Sequence, residues 1–107
     1  MSRGDIVVVA LQGDAGKPCP ALIVTADLAS DLDRVALLPL TTFQADLPLL
    51  RVPLEPNAAT GLTARSDAVL DRMTTISRAK VGKVVGRADA ATMRAVNRAL
   101  LAFLGLV

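Results

Sequence analysis

The 107-residue chain has no histidine, tryptophan or tyrosine, a single cysteine and two phenylalanines. Each scarcity closes a route. Without an imidazole, the commonest general base and every His-dependent nucleophilic arrangement are ruled out. With no histidine and one cysteine, Cys19, a zinc or other transition-metal centre lacks its usual donors. An all-carboxylate magnesium site stays open, and no cofactor is expected. One thiol cannot close an intrachain disulfide, which fits a reducing compartment. No apolar run nears the roughly 18 residues that cross a bilayer, and no charged-then-apolar leader opens the sequence. The expectation is a cytoplasmic protein with no membrane partner.

Aromatic residues make up 2% of the chain although hydrophobic residues make up 52%. The core must therefore be built from Val, Leu, Ile and Ala. Single-strand binders usually stack bases on aromatic platforms. With Phe103 assigned to a helix core, any stacking here is expected to lean on arginine planes.

The length predicts one domain, residues 1–107, large enough to hold a core without staples. The net charge of +2 is unevenly spread. Residues 1–64 carry Arg3, Lys17, Arg34 and Arg51 against seven acidic side chains, a balance of −3. Residues 65–107 carry eight basic side chains against Asp67, Asp71 and Asp89, a balance of +5. A basic half suggests an anionic partner, the alternative being a solvated surface.

Apolar runs of strand length follow one another: Ile6 to Leu11, Ala21 to Thr25, Arg34 to Leu40, Ser66 to Leu70, Thr74 to Ile76 and Val81 to Val85. Gln12 to Lys17 reads as a loop with two glycines. Pro18 and Pro20 hold the residues before them extended. Leu47 to Glu55, with Pro48 and Pro53, suits an edge or bulged strand. Asp89 is a good N-cap for a helix whose stripe is Met93, Val96, Leu100 and Phe103, ended by Gly105. Five to seven short strands and one terminal helix predict a mainly β barrel with the helix packed on it.

Arg3-Gly4-Asp5-Ile6, Pro20-Ala21-Leu22-Ile23-Val24, Pro39-Leu40-Thr41-Thr42, then Gly61-Leu62 to Ser66, Asp71, Ile76 and Gly82, and finally Val96-Asn97-Arg98-Ala99-Leu100, come in an order that resembles the MazF/PemK family of bacterial toxins over nearly the whole chain. The resemblance implies a small SH3-like β-barrel (CcdB/PemK-like) in each subunit of a homodimer. It also implies metal-independent cleavage of single-stranded RNA and inhibition by a cognate antitoxin peptide lying across the RNA groove. Thr41 and Asp71 fall where family position implies site roles. One departure stands out: the family typically carries an arginine, taken to act in phosphodiester cleavage, just before the proline matched to Pro20, and here that position is Cys19.

Cleavage of RNA through its own 2′-hydroxyl needs proton transfer and a positive group at the non-bridging oxygens. Lys17, two residues before Cys19 and on the same side of an extended segment, is the candidate substitute cation, although a flexible ammonium is not a planar guanidinium. Its plainer reading is a solvated loop lysine. Cys19 is expected at the base of the groove, near Thr41 and Asp71. The candidate catalytic set is Thr41, Asp71 and Lys17; Arg65, Arg72, Arg78 and Lys80 are candidate phosphate contacts. Three readings stay open at this point: an endoribonuclease toxin, a catalytically weakened binding member of the same family, and a gyrase-targeting toxin of the CcdB type.

Overall fold

A computed structural model describes residues 1–11, 17–29, 31–47 and 49–107. Seven strands and one helix follow in chain order: β1 (Asp5–Ala10), β2 (Pro18–Ile23), β3 (Arg34–Thr41), β4 (Arg51–Leu54), β5 (Ser66–Val69), β6 (Thr74–Ser77), β7 (Val84–Arg87) and α1 (Ala90–Phe103). All pairings are antiparallel, in the order β4-β5-β3-β2-β1-β7 with β6 also on β3. This is the mainly β, half-barrel sheet with a C-terminal helix that the strand pattern predicts. The expected loop over Gln12 to Lys17 lies outside the described residues up to Gly16, as does Pro48 of the expected edge strand Leu47 to Glu55, of which Arg51–Leu54 forms β4.

Strand β3 is the pivot. Its first half, Arg34 to Leu37, pairs with β6, and its last residues, Leu40 and Thr41, pair with β5. Its opposite edge meets β2 only over Leu37 to Pro39. Pro18 and Pro20 therefore sit on the part of β2 that β3 does not reach, where a missing N–H breaks no ladder toward β3. The strands part there, and the split opens a groove at the C-terminal end of β3.

Strands β1 to β3 are buried on both faces, which is why they read as unbroken apolar runs rather than alternating ones. Ile6, Leu22 and Leu38 face a core shared with β4, β5 and α1, where Val52, Leu54, Val96 and Ala99 join them. Val7, Ala21, Ile23 and Leu37 face a second core with Val9 and Val35, against which Ile76 and Val81 pack. At about 25 cal/mol per Å² of apolar surface, such two-sided burial is the main stabilising term.

Edges are covered by close backbone approach. A Cβ on Gly86 would stand 2.0 Å from the Thr60 carbonyl oxygen, and one on Gly61, at φ +67°, would stand 2.1 Å from that of Val85. The two glycines let the Asn57–Gly61 turn lie flat on β7, with Arg87 N–H donating to Ala59 O at 2.8 Å. This corrects one expectation: the strand predicted over Val81 to Val85 runs instead through Gly86 to Arg87. The strand begins at Val84 rather than Val81 because the β1–β7 register shifts between Ile6 and Val7. Gly82 and Lys83 still bond to Val8, outside regular pairing.

Helix α1 starts as predicted, with the Thr92 N–H donating to Asp89 Oδ1 at 2.7 Å. Its buried face is Val96 and Ala99, with Met93, Ala95 and Leu100 packed against the core. Phe103, expected in that stripe, is instead 41% exposed. It lies in the last turn, where the helix runs past the sheet. Arg3 ties the helix back by donating to Val24 O and to Asn97 Oδ1. No described helix is long and apolar enough to cross a membrane.

Candidate RNA groove

Between the Lys17–Pro20 end of β2 and the Pro39–Phe43 end of β3 lies an open groove of about 630 Å³. Strand β4 contributes Arg51 to it, β5 contributes Ser66 and Val69, and the tight 3-10 turn Leu70–Arg72 contributes Arg72. Three cations, Lys17, Arg51 and Arg72, line it, and no carboxylate appears among the described lining residues. Lys17 and Arg72 are exposed; Cys19 and Thr41 are half-buried.

Thr41 is the last residue of β3, paired with Asp67 of β5. Its Oγ1 accepts the Phe43 N–H at 3.1 Å. That bond uses one of the two oxygen lone pairs, so the hydroxyl can still donate its proton to an anion.

Arg51 is the residue that sequence reasoning missed. In β4, Val52 and Leu54 turn to the helix-side core, so alternation sends Arg51 to the other face. Its Nη1 donates to Phe43 O at 2.9 Å and stands 3.6 Å from Asp67 Oδ2. The side chains of Arg51 and Asp67 are only 15% and 6% exposed, while the buried Nε has no hydrogen-bond partner. A guanidinium held through one nitrogen, above a buried carboxylate, is a fixed cation rather than a mobile one. The available signal is the alternation of Arg51-Val52-Pro53-Leu54, set in the half of the chain whose charge balance is acidic.

The structure brings Lys17, Cys19, Thr41 and Arg72 to one groove and leaves the other candidates outside it. Asp71, expected at its base, is exposed on the 3-10 turn and does not line it; a tight turn sends adjacent side chains apart, and Arg72 takes the groove side. Arg65 pairs with Glu55 at 3.5 Å and lines a second cleft beside α1. Arg78 donates from Nε to Leu32 O at 2.9 Å, bracing the turn before β3, and Lys80 lies exposed at the end of the 3-10 turn Arg78–Lys80. Neither lines the groove.

Comparison with known proteins gives a consistent result. The family described as PemK-like, MazF-like toxin of type II toxin–antitoxin system matches residues 2–104. A probable endoribonuclease MazF of Mycolicibacterium smegmatis is 42% identical over 107 residues, covering 99% of this chain and 98% of that protein. Among solved structures, an endoribonuclease in complex with its cognate antitoxin from a mycobacterial species superposes with a TM-score of 0.83 at 27% identity, over 100% of this chain and 97% of the other. The Mycobacterium tuberculosis toxin MazF-mt6 gives 0.81 at 26% identity, over 94% and 96%.

Proposed function

The chain belongs to the PemK-like, MazF-like family of type II toxin–antitoxin toxins, and we propose that its carboxylate-free groove binds and cleaves single-stranded RNA without a metal. It is an endoribonuclease toxin, and the relatives support this reading over a gyrase-directed or purely binding role. In this proposal it works in the cytoplasm as a homodimer and is held inactive by a cognate antitoxin peptide laid across the same groove.

The observation that carries the reading is the convergence of Lys17, Arg51, Arg72 and the Thr41 hydroxyl on one groove. Attack of the ribose 2′-oxygen on the adjacent phosphorus builds negative charge on the non-bridging oxygens. Three cations and a hydroxyl donor stabilise that charge. Lys17 and Arg51 together take the place of the arginine that Cys19 replaces, one mobile and one fixed. Asp71 acts, in this arrangement, from the groove's margin. Bond cleavage leaves a 2′,3′-cyclic phosphate and a 5′-hydroxyl.

The test is single-stranded RNA incubated with the purified chain in EDTA, with end-group analysis. Cleavage giving those ends is expected. An uncut RNA under all conditions, or cleavage abolished by EDTA and restored by magnesium, overturns the proposal.

A further inference from the structure

Phe43 is 72% exposed, and it is one of two aromatic rings in the chain. Its backbone is nevertheless held at both ends. Its N–H donates to Thr41 Oγ1 at 3.1 Å, and its carbonyl accepts from Arg51 Nη1 at 2.9 Å. The two groups that fix this residue are the Thr41 hydroxyl and the fixed cation of the groove, and Phe43 itself lines that groove. The two bonds fix the backbone of Phe43 and so where its exposed ring emerges at the groove; an apolar ring left in water there gains nothing from the fold, and its placement makes sense if a flat partner covers it.

We propose that Phe43 is a stacking platform for a nucleobase next to the scissile phosphate, and so a specificity-determining residue. The proposal rests on the ribonuclease reading above. A base is favoured over a protein side chain because the ring's neighbours along the groove are cationic and no described carboxylate lines it, the pairing of charge and π-face that single strands require. The anchoring through Thr41 and Arg51 ties base placement to phosphate placement, so a misplaced base also misplaces the phosphorus. The larger π-face of a purine makes it the favoured base at this position. In this proposal stacking would not lean on arginine planes alone.

The experiment begins by mapping the cut site on a long single-stranded RNA. Oligonucleotides spanning it then carry 2-aminopurine on either side of the scissile phosphate, with a 2′-deoxyribose at the attacking position so that they bind without being cut. The chain has no Trp or Tyr to obscure the signal. Native protein should quench one of the two probes on saturation; Phe43→Ala and Phe43→Leu should not, and Phe43→Tyr should. On cleavable RNA, Phe43→Ala should lower kcat/KM roughly 10- to 100-fold. An abasic nucleotide at the quenched position should cost the native protein as much and Phe43→Ala nothing more. Unchanged cleavage by Phe43→Ala and Phe43→Leu overturns the proposal while leaving the ribonuclease reading intact. So do losses from variant and abasic site that multiply, or unchanged cleavage with a shift from dimer to monomer in sedimentation, which would make the ring a subunit contact. If native protein cuts nothing, 2-aminopurine is placed in turn at each position of a bound single strand: quenching that Phe43→Ala abolishes keeps the platform while the catalytic reading fails, and no such quenching overturns both.

Discussion

Two clefts flank β4, and they share one residue. The groove at the end of β3 is lined by Lys17, Arg51 and Arg72 without a described carboxylate. The cleft beside α1, about 440 Å³, is also lined by Arg51 but mixes Arg65 and Arg98 with Asp46 and Asp67 and is floored by Ala95, Ala99 and Ala102. Both hold three arginines or lysines. In the first, Lys17 and Arg72 lie exposed with no carboxylate among the described lining residues, and the counter-charge of Arg51, Asp67, lies behind it in the other cleft, so the first is the better site for a polyanion. What marks it is not the number of cations but that carboxylates do not share their surface.

Asp67 joins the two clefts, because its buried carboxylate faces Arg51 from the helix side. Asp67→Ala should give the largest effect, since it leaves an arginine that is mostly buried without its counter-charge. A broken buried pair costs about 3–5 kcal/mol; the 3.6 Å separation and the residual exposure of Arg51 argue for about 2–3 kcal/mol here. Urea unfolding measures it. An unchanged midpoint would mean that Arg51 is held by the Phe43 carbonyl alone.

A second test sets the clefts directly against each other. Lys17→Ala or Arg72→Ala should lower kcat/KM for single-stranded RNA on the order of 100-fold, as the loss of a transition-state electrostatic donor does. Each should also reduce the slope of log affinity against log salt by about 0.7, one single-strand phosphate contact. Arg65→Ala and Arg98→Ala should change rate and slope little. Equal losses from both pairs would mean that RNA crosses both clefts and that the charge distinction carries no functional weight.

The fold was largely legible in the sequence because its signals are local. β-Branched apolar runs, prolines at the edges of pairing and the Asp89 cap each act within a few residues. The site was less legible because it depends on where strands part. Lys17 and Arg72 are candidates by residue type and position along the chain, and Thr41 by the family resemblance; the structure brings the three to one groove. Asp71 and Arg72 are adjacent in sequence, and only the 3-10 turn decides which of them faces the groove. Arg51 and Asp67 meet through the β4–β5 pairing, which nothing near either residue announces. Phe103 was assigned to the core on helical spacing alone, although the helix outruns the sheet that would cover it.

The smallest effect expected belongs to the helix side alone. The carboxyl of Asp89 is held below the ordinary range, first by the Thr92 backbone N–H, then by the Thr92 side chain and, more weakly, by Arg94. A carboxyl whose folded pKa is depressed contributes stability that is present above its unfolded pKa, near 3.9, and is lost as pH falls through the folded value. Asp89→Asn keeps an acceptor for the Thr92 N–H but cannot titrate. It should lie close to the native protein at neutral pH and lose less stability below pH 4. Asp89→Ala should lower Tm by a few degrees at neutral pH, because the helix start loses its acceptor. Neither should alter RNA cleavage well below Tm, since α1 walls the second cleft and contributes nothing to the groove. Thermal melts from pH 3 to pH 7 beside a cleavage assay at one temperature decide it. A loss of cleavage in a folded Asp89→Ala variant would show that the helix positions the groove after all, and that the two clefts are mechanically one.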